Sequence, residues 1–336
     1  MAPSPGVSLP KPEDPIGELL KSYNELNRSG VDELDEEPSP LEFMRYVARN
    51  RPFVARKCAA DWKACVRWNA DYLTNVVGAQ LVNVAITPLG NADSPVESED
   101  GSLVFVKPLE LEEPFDDVLQ YIQNQELQAR EDHQEGKQEN DNLRNEYEVL
   151  YADVPKDVAF ARVALQRAPE AINFWLGNSK STTALHKDNY ENVYVQVLGQ
   201  KHFVLLPPVA AACVNEQELQ AATYGSSSGG PPDDAEELLV QADCPGGVVP
   251  FPTWDPDQPR MRSTRYSALC RPMRVTLNPG DMLYLPALWY HKVSQSCSDE
   301  GLCCAVNYWY DMNFDGSLYS MYGFGTSVAR KELAAG

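Results

Sequence analysis

The chain from residue 171 onward is a succession of short apolar segments separated by turns that contain proline or glycine. Many short runs with this punctuation are typical of β-strands in an antiparallel architecture. We therefore expect a mainly β fold, either a closed barrel or a double-stranded β-helix (jelly roll). The runs are 172–176, 181–186, 192–197, 201–206, 273–277, 282–285, 289–293 and 303–309.

Two neighbouring runs and the N-terminal third carry more local predictions. The runs 192–197 and 201–206 flank the turn Leu198-Gly199-Gln200 and predict a hairpin. Helices are predicted from Pro15 to Leu26, from about 40 to 48 and over 62–77, because their apolar residues recur at helical spacing and caps precede the first two. A helical N-terminal region should pack against one face of the β domain.

The domain organisation follows from these patterns. Residues 1–38 form an N-terminal helix and an acidic linker, which covers 32–37. A single domain is predicted over 39–325, with N-terminal α/β elements and a β core at about 171–312. The polar stretch 126–142 and the Gly/Ser/Pro-rich stretch 224–235 are read as insertions. Residues 326–336 are predicted to be a tail.

The surface charge limits the classes of partner. Among 336 residues, 28 Lys and Arg stand against 49 Asp and Glu, which gives a net charge of −21. Such a surface repels nucleic acid and anionic membranes, so direct binding to either is not expected. It would favour a basic partner, although acidity that only aids solubility is an equally simple reading.

The cysteines and the first residues bear on the compartment. Eight cysteines are present, none in a CxxC pair, and in a chain this long they do not look like a disulfide framework. The N-terminal residues have no basic segment followed by an apolar one, so no secretory signal is expected. We expect the protein in the cytoplasm and also in the nucleus.

His186, Asp188 and His291 form a candidate metal site. Two imidazoles and one carboxylate are the ligand set of non-haem Fe(II) oxygenases, and the chain has only four histidines. Positions 186 and 188 point to the same face of a strand, and a jelly roll can bring His291 to them from a distant strand. Taken alone, the tripeptide His186-Lys187-Asp188 is better explained as a surface turn.

Polar residues in neighbouring strands strengthen the metal reading. Lys201 lies in a run that should face the barrel lumen, where an ammonium needs an anionic partner such as a dicarboxylate. Thr183, Asn192 and Asn307 are polar positions in otherwise apolar strands, and buried polar groups need hydrogen-bond partners.

Several segments resemble one enzyme family. They are 173–177, 185–192, 199–204, 283–291 and 305–311, with weaker similarity at 39–43, 50–53 and 84–88. Together they resemble the jumonji-C family of Fe(II)- and 2-oxoglutarate-dependent oxygenases, and within it the lysyl hydroxylases. The resemblance covers most of residues 15–325 and implies a cupin-like jelly roll.

The resemblance also implies the site and its cofactors. His186, Asp188 and His291 would be the Fe(II) ligands, and Lys201 the partner of the distal carboxylate of 2-oxoglutarate. The family pattern further assigns co-substrate contacts to Thr183, Tyr121, Asn192 and Asn307. The co-substrates would be 2-oxoglutarate and O₂.

The implied substrate is a lysyl side chain of another protein, with a developmentally regulated GTP-binding protein as the expected partner. Glu191 and Asp311 are candidates for holding the lysine ammonium at the pocket entrance. A homodimer is a further expectation. Alternatives that stay open are an N-methyl-lysine demethylase with the same iron chemistry, a zinc hydrolase, in which Lys201 would have no role, and a non-catalytic jelly-roll binding module.

Overall fold

A computed structural model describes residues 14–98, 100–128, 134–135, 141–226 and 238–334. Within them the helices are α1 Pro15–Leu26, α2 Pro40–Arg49, α3 Lys63–Arg67, α4 Ala70–Val77, α5 Phe115–Gln128, α6 Glu148–Tyr151, α7 Ala159–Leu165 and α8 Ser317–Ala334. The strands are β1 Asp32–Leu34, β2 Phe53–Ala55, β3 Leu81–Ile86, β4 Ser94–Glu97, β5 Leu103–Lys107, β6 Leu109–Pro114, β7 Gln134–Glu135, β8 Ala171–Gly177, β9 Thr182–His186, β10 Tyr190–Leu198, β11 Gln200–Leu206, β12 Glu216–Ser226, β13 Leu238–Ala242, β14 Val248–Pro252, β15 Met273–Leu277, β16 Met282–Leu285, β17 Tyr290–Ser296 and β18 Cys303–Asp311.

Two sheets form the core of the fold. The major sheet has the strand order β1-β2-β16-β10-β18-β8, and the minor sheet has the order β15-β11-β17-β9. The strands from β8 onward in both sheets pair antiparallel with partners that are distant in sequence. This is the double-stranded β-helix, so the predicted fold class is confirmed. Two smaller sheets are separate from it: one has the order β13-β12-β5-β4, with β14 also paired to β12, and the other has the order β6-β3-β7.

The major sheet is covered on both faces, which explains the long buried run of β10. Val193, Val195 and Val197 belong to the large apolar cluster that includes residues of the N-terminal helices, such as Phe43 and Leu73. The alternate residues of β10 face the space between the two sheets. Helices α2 to α4 thus pack on the outer face of the major sheet. The prediction of a single face is wrong for α1, whose Ile16 and Leu20 pack in a separate cluster with Leu185 and Leu206 of the minor sheet.

A second apolar cluster fills much of the space between the sheets. It joins side chains of the major sheet to side chains of the minor sheet, including Phe203, Leu205, Leu283, Leu285 and Val293. Trp289 is 1% exposed within it, and its indole Nε1 donates to the Asn50 carbonyl at 2.9 Å. Trp289 is therefore a core residue.

The predicted hairpin between residues 192–197 and 201–206 is wrong. β10 pairs with β16 and β18, whereas β11 pairs with β15 and β17, so the two strands lie in different sheets. Gly199 has a φ of +65°, and a Cβ there would lie 2.5 Å from the Ser296 carbonyl oxygen. A short turn between two β runs has the same local sequence whether the strands pair or separate.

Two local predictions in the N-terminal region need correction. Asp32–Leu34, predicted within an acidic linker, is the strand β1, which pairs in parallel with β2. The stretch 62–77 contains α3 and α4 rather than one helix. The break falls at Trp68, whose Nε1 donates to Asp153, while the Asn69 side chain caps α4 by accepting from Tyr72. A tertiary contact and a cap together outweigh continuous helical spacing.

The predicted insertions and tail fall as follows. Residues 129–133, 136–140 and 227–237 lie outside the described residues, and so does most of each predicted insertion. Residues 224–226 belong to β12. The boundary predicted at residue 325 falls inside α8, where Ala329 is 4% exposed.

The structure also shows the state of the cysteines and the character of the helices. All eight cysteines are free thiols. Among the residues that the structure describes, no helix combines the length and apolarity needed to cross a bilayer.

Candidate metal centre

The jelly-roll topology brings His186, Asp188 and His291 together. His186 ends β9, Asp188 lies in the turn that follows, and His291 is near the start of β17. β9 and β17 are antiparallel neighbours, and His186 stands directly opposite His291 in their register. The backbone carbonyl of Asp188 accepts from the Leu288 amide at 2.8 Å, which ties this turn to the segment that leads into β17.

The ligand atoms of the three side chains converge. Asp188 Oδ2 lies 3.7 Å from His186 Nε2 and 3.6 Å from His291 Nε2. All three candidate ligand atoms lie within 4.8 Å of one another. Distances of this size between the atoms suit ligands around one ion, because each metal–ligand bond would be about 2 Å long.

Both histidines are held in the form that a metal ligand requires. His186 Nδ1 lies 2.8 Å from the Ala184 carbonyl, and His291 Nδ1 lies 3.0 Å from the Trp289 carbonyl. Each Nδ1–H can therefore donate to the backbone, which leaves the Nε2 lone pair for the ion. Burial, with His186 beside it, lowers the pKa of His291 to about 4 and keeps that ring neutral. These donors fit a divalent metal.

A β-bulge places Thr183 beside His186. Between the pairs His291↔His186 and Val293↔Thr183, β17 advances by two residues and β9 by three. The extra residue on β9 shifts the alternation of the strand, so two side chains that are three residues apart face the same side. Thr183 and His186 accordingly both line the cavity at the centre.

Lys201 enters the same cavity from β11. It is 8% exposed, and its ammonium makes no hydrogen bond or ion pair with any residue in the described part of the chain. An unpartnered ammonium at this depth is costly unless an anion joins it. The donor set and Lys201 together therefore fit a metal-chelating dicarboxylate such as 2-oxoglutarate.

Asn192 and Asn307 form part of a hydrogen-bonded network at the cavity. Asn307 Nδ2 donates to Asn192 Oδ1 at 3.2 Å. Asn307 Oδ1 accepts from Asn173 Nδ2 at 3.1 Å and from Trp175 Nε1 at 2.9 Å. The network fixes the orientation of both amides that the sequence predicts at the site.

The cavity encloses about 260 Å³ and opens between the two sheets. Tyr194 and Phe203 meet edge to face across the sheets with centroids 5.2 Å apart. Trp309 stacks on Tyr190 with an interplanar angle of 4°. The cavity is lined by Ala92, Asp93, Trp175, Leu176, Ser181, Thr183, His186, Asp188, Asn192, Tyr194, Lys201, Phe203, Phe251, His291, Val293, Gln295, Asn307 and Trp309.

The structure does not bring Tyr121 to this cavity. Tyr121 lies on α5, where Gln125 Nε2 approaches its hydroxyl at 3.4 Å. Gln125 Oε1 in turn accepts from Asn178, whose carbonyl accepts from the cavity residue Gln295. Tyr194 is the tyrosine among the described residues that line the cavity. A helical tyrosine has no sequence signal that fixes its distance from a barrel.

Of the two acidic residues predicted for the entrance, Glu191 lies elsewhere. Glu191 is 5% exposed and accepts from the Tyr284 hydroxyl at 2.6 Å and from the Ala287 amide, so it is not at the entrance. It lies next to Asn192 on β10 and therefore points to the opposite face of the sheet. Asp311 is exposed at the end of β18, two residues beyond Trp309.

Two residues that line the cavity were not predicted from the sequence, because they come from distant parts of the chain. Asp93, in the loop before β4, is a cavity carboxylate besides Asp188 and has a φ of +50°. Phe251 comes from β14 and lies 5.1 Å from the Phe105 ring. Neither lies near a motif, so no local pattern could have found them. Tyr194 could have been found, because it alternates with Asn192 along β10.

Comparisons with known proteins agree with this geometry. A family model described as a cupin-like domain matches residues 38–316. The chain is 33% identical over 326 residues to lysine-specific demethylase JMJ32 of Arabidopsis thaliana, covering 94% of this chain and 92% of that protein. It is 36% identical over 286 residues to the bifunctional peptidase and (3S)-lysyl hydroxylase JMJD7 of Homo sapiens, covering 84% of each chain. It is 33% identical over 297 residues to JmjC domain-containing protein E of Dictyostelium discoideum, covering 83% of each. The chain therefore belongs to the cupin-like JmjC family of oxygenases.

Proposed function

We propose that this protein is an Fe(II)- and 2-oxoglutarate-dependent oxygenase that hydroxylates a lysyl side chain of another protein. The observation that carries the oxygenase part is one cavity that holds both a metal-type triad and the buried ammonium of Lys201, unpaired among the described residues. The lysyl part is supported by the relative whose printed name includes lysyl hydroxylase and by the carboxylate of Asp93 in the cavity wall.

The chain's own residues divide the work of the site. His186, Asp188 and His291 would hold the ion through neutral Nε2 atoms and one carboxylate oxygen. Lys201 would pair with the distal carboxylate of the co-substrate, and Thr183 would donate a hydrogen bond beside it. When bound there, Fe(II) with 2-oxoglutarate and O₂ supplies the oxidising chemistry, in which 2-oxoglutarate becomes succinate and carbon dioxide and one oxygen atom enters a substrate C–H bond.

The remaining cavity walls suit a lysyl side chain. Trp309, stacked on Tyr190, and Phe251 offer flat apolar surfaces for the methylene stem. Asp93 would pair with the ammonium through a charge-assisted hydrogen bond. The net charge of −21 would attract a basic segment of a partner protein. We propose a developmentally regulated GTP-binding protein as that partner.

Demethylation of an N-methyl lysine is the second candidate. It uses the same iron chemistry but places an N-methyl carbon at the metal, after which formaldehyde leaves. The relative that is named a lysine-specific demethylase is aligned over 94% of this chain, which keeps this candidate open. A zinc hydrolase gives Lys201 no role, and a non-catalytic module gives none to the convergent triad.

The test is a reaction of the purified full-length chain with Fe(II), 2-oxoglutarate and lysine-containing peptides in air. We expect succinate and a peptide that gains one oxygen atom on a lysine, and no gain in a matched peptide with arginine at that position. A methylated peptide that loses one methylene unit and releases formaldehyde would favour the demethylase. Zinc-dependent turnover without 2-oxoglutarate would contradict both.

Two further proposals concern the compartment of the protein and its oligomeric state. We propose that the protein acts in the cytoplasm and also in the nucleus, and that it forms a homodimer. Fractionation of cells and the mass of the purified protein in solution test these two statements.

A further inference from the structure

Lys187 stands between two of the metal-type residues but points away from them. Its Nζ lies 2.7 Å from Glu216 Oε2, and the side chain is 19% exposed. It also lies over two aromatic rings, 5.3 Å from the Tyr290 centroid and 5.7 Å from the Tyr322 centroid. None of these three contact residues lines the cavity of the metal centre.

The two carboxylate oxygens of Glu216 accept hydrogen bonds from different parts of the fold, one from the β domain and one from the C-terminal helix. One oxygen accepts from Lys187, and the other accepts from Arg330 Nη2 at 2.6 Å. The Glu216 side chain is only 5% exposed, whereas that of Arg330 is 47% exposed. The charged pair beside the metal turn is therefore linked directly to α8.

The second ligand strand reaches the same helix. Tyr290 immediately precedes His291, is fully buried, and its hydroxyl lies 3.0 Å from the Tyr322 hydroxyl on α8. The helix is also seated by packing, because Ala329 belongs to an apolar cluster with Leu185, which precedes His186. Residues adjacent in sequence to two of the three ligands thus contact one helix.

We propose that α8 is a positioning element of the metal centre, acting through the back network of Lys187, Glu216, Tyr290, Tyr322 and Arg330. The network fixes the backbone of the turn that carries His186 and Asp188 and of the strand that carries His291. Groups that orient metal ligands from behind typically change metal affinity about 10–100-fold when they are removed. The match to the family model ends at residue 316, so α8 lies outside it.

Two features distinguish a network that positions the metal ligands from one that only stabilises the fold. The contacts end on residues next to the ligands, so their loss changes the relative placement of His186, Asp188 and His291. The packing of α8 through Ala329 does not involve the charged groups. Replacing a polar residue of the network should therefore leave α8 packed against the β domain. Metal affinity should therefore respond to variants that change the melting temperature little.

The experiment measures the dissociation constant of the full-length protein for Mn²⁺ alone by calorimetry, with the melting temperature of the metal-free protein measured in parallel. We expect Lys187→Met and Arg330→Met to weaken binding by about tenfold and Tyr322→Phe by about threefold. Lys187→Arg, which keeps the charge, should restore most of the affinity. The control is Glu332→Gln, which removes the exposed α8 ion pair with Arg265 and should change nothing.

The inference rests on the metal centre of the proposed function, and the outcomes separate the two. Affinities of Arg330→Met and Tyr322→Phe equal to that of the wild type would overturn the inference, even if Lys187→Met does not fold. If Mn²⁺ affinity depends on the network as expected but the wild type oxidises no lysyl peptide, the proposed function is overturned instead. A wild type that binds no Mn²⁺ would overturn both.

Discussion

Thr183 and His186 lie on the same side of β9 although three residues separate them. The bulge in the pairing with β17 places one extra residue on β9 between Thr183 and His186, and this makes the arrangement possible. In a regular strand these two side chains would point to opposite faces. A candidate metal ligand and a hydroxyl therefore meet in one cavity because of an irregularity in the pairing of two strands.

Thr183→Val tests the use of that hydroxyl. Valine has nearly the same shape, so the main change is the loss of one hydrogen bond. We expect the KM for 2-oxoglutarate to rise about fivefold, which corresponds to about 1 kcal/mol, with little change in kcat. The measurement is succinate formation against 2-oxoglutarate concentration. Thr182→Val, next to it but not in the cavity wall, is the matched control and should behave as the wild type.

Lys201→Ala tests the partner of the co-substrate. A bound dicarboxylate would lose its cation inside a buried cavity, and such truncations cost about 2–5 kcal/mol. We expect the KM for 2-oxoglutarate to rise by about thirtyfold or more. Lys107→Ala removes a lysine whose ion pair with Asp243 lies at the surface and serves as the control. An unchanged KM in Lys201→Ala would contradict the assignment.

Alanine substitutions at His186, Asp188 or His291 test the metal centre. Each would remove one of three proposed ligands, so we expect succinate formation to fall to background. His202→Ala is the matched control, because that ring bonds to Thr276 and Ser296 on the opposite face of β11. Turnover that survives in all three triad variants would exclude these residues as the ligands.

Asp93→Asn tests the anchor for the substrate ammonium. A hydrogen bond to a charged group contributes about 1.5–3 kcal/mol, so we expect the KM for a lysine peptide to rise by about tenfold or more. The KM for 2-oxoglutarate should not change, because Lys201 is untouched. Asp100→Asn changes a carboxylate that bonds within the loop around Ser98 and Ser102, and it controls for the loss of one acidic group.

Glu191→Gln tests the buried carboxyl behind the site. Burial raises the pKa of Glu191 above its ordinary value. The stability that this group contributes is therefore present below its unfolded pKa and is lost as pH rises through the folded pKa. The amide of the Glu191→Gln variant does not titrate. We therefore expect the melting temperature of the variant minus that of the wild type to increase as pH rises from about 4 to about 8. Glu218→Gln, on an exposed position, should show no such trend.

The sequence predicted the fold class and the members of the triad better than it predicted their surroundings. Alternating apolar runs report which residues of a strand are buried, and the structure confirms the β-helix. They do not report partners, so β10 and β11 were read as a hairpin although they lie in different sheets. The prediction that Glu191 lies at the entrance fails for the same reason, because a strand buried on both faces has no alternation that shows which way its residues point. The role of Tyr121 stays a prediction, although it is not among the described residues that line the cavity.

By itself the sequence determined a chain of short strands with a helical N-terminal region, an acidic surface and three residues of metal-binding type. Only the tertiary structure decided that His186 and His291 stand opposite each other, and that Lys201 is buried without a partner among the described residues. It also added Asp93 from a remote loop and linked α8 to the ligand strands. The physical reason is that strand pairing and side-chain packing act between residues far apart in the chain, whereas sequence patterns report only the local environment of each residue.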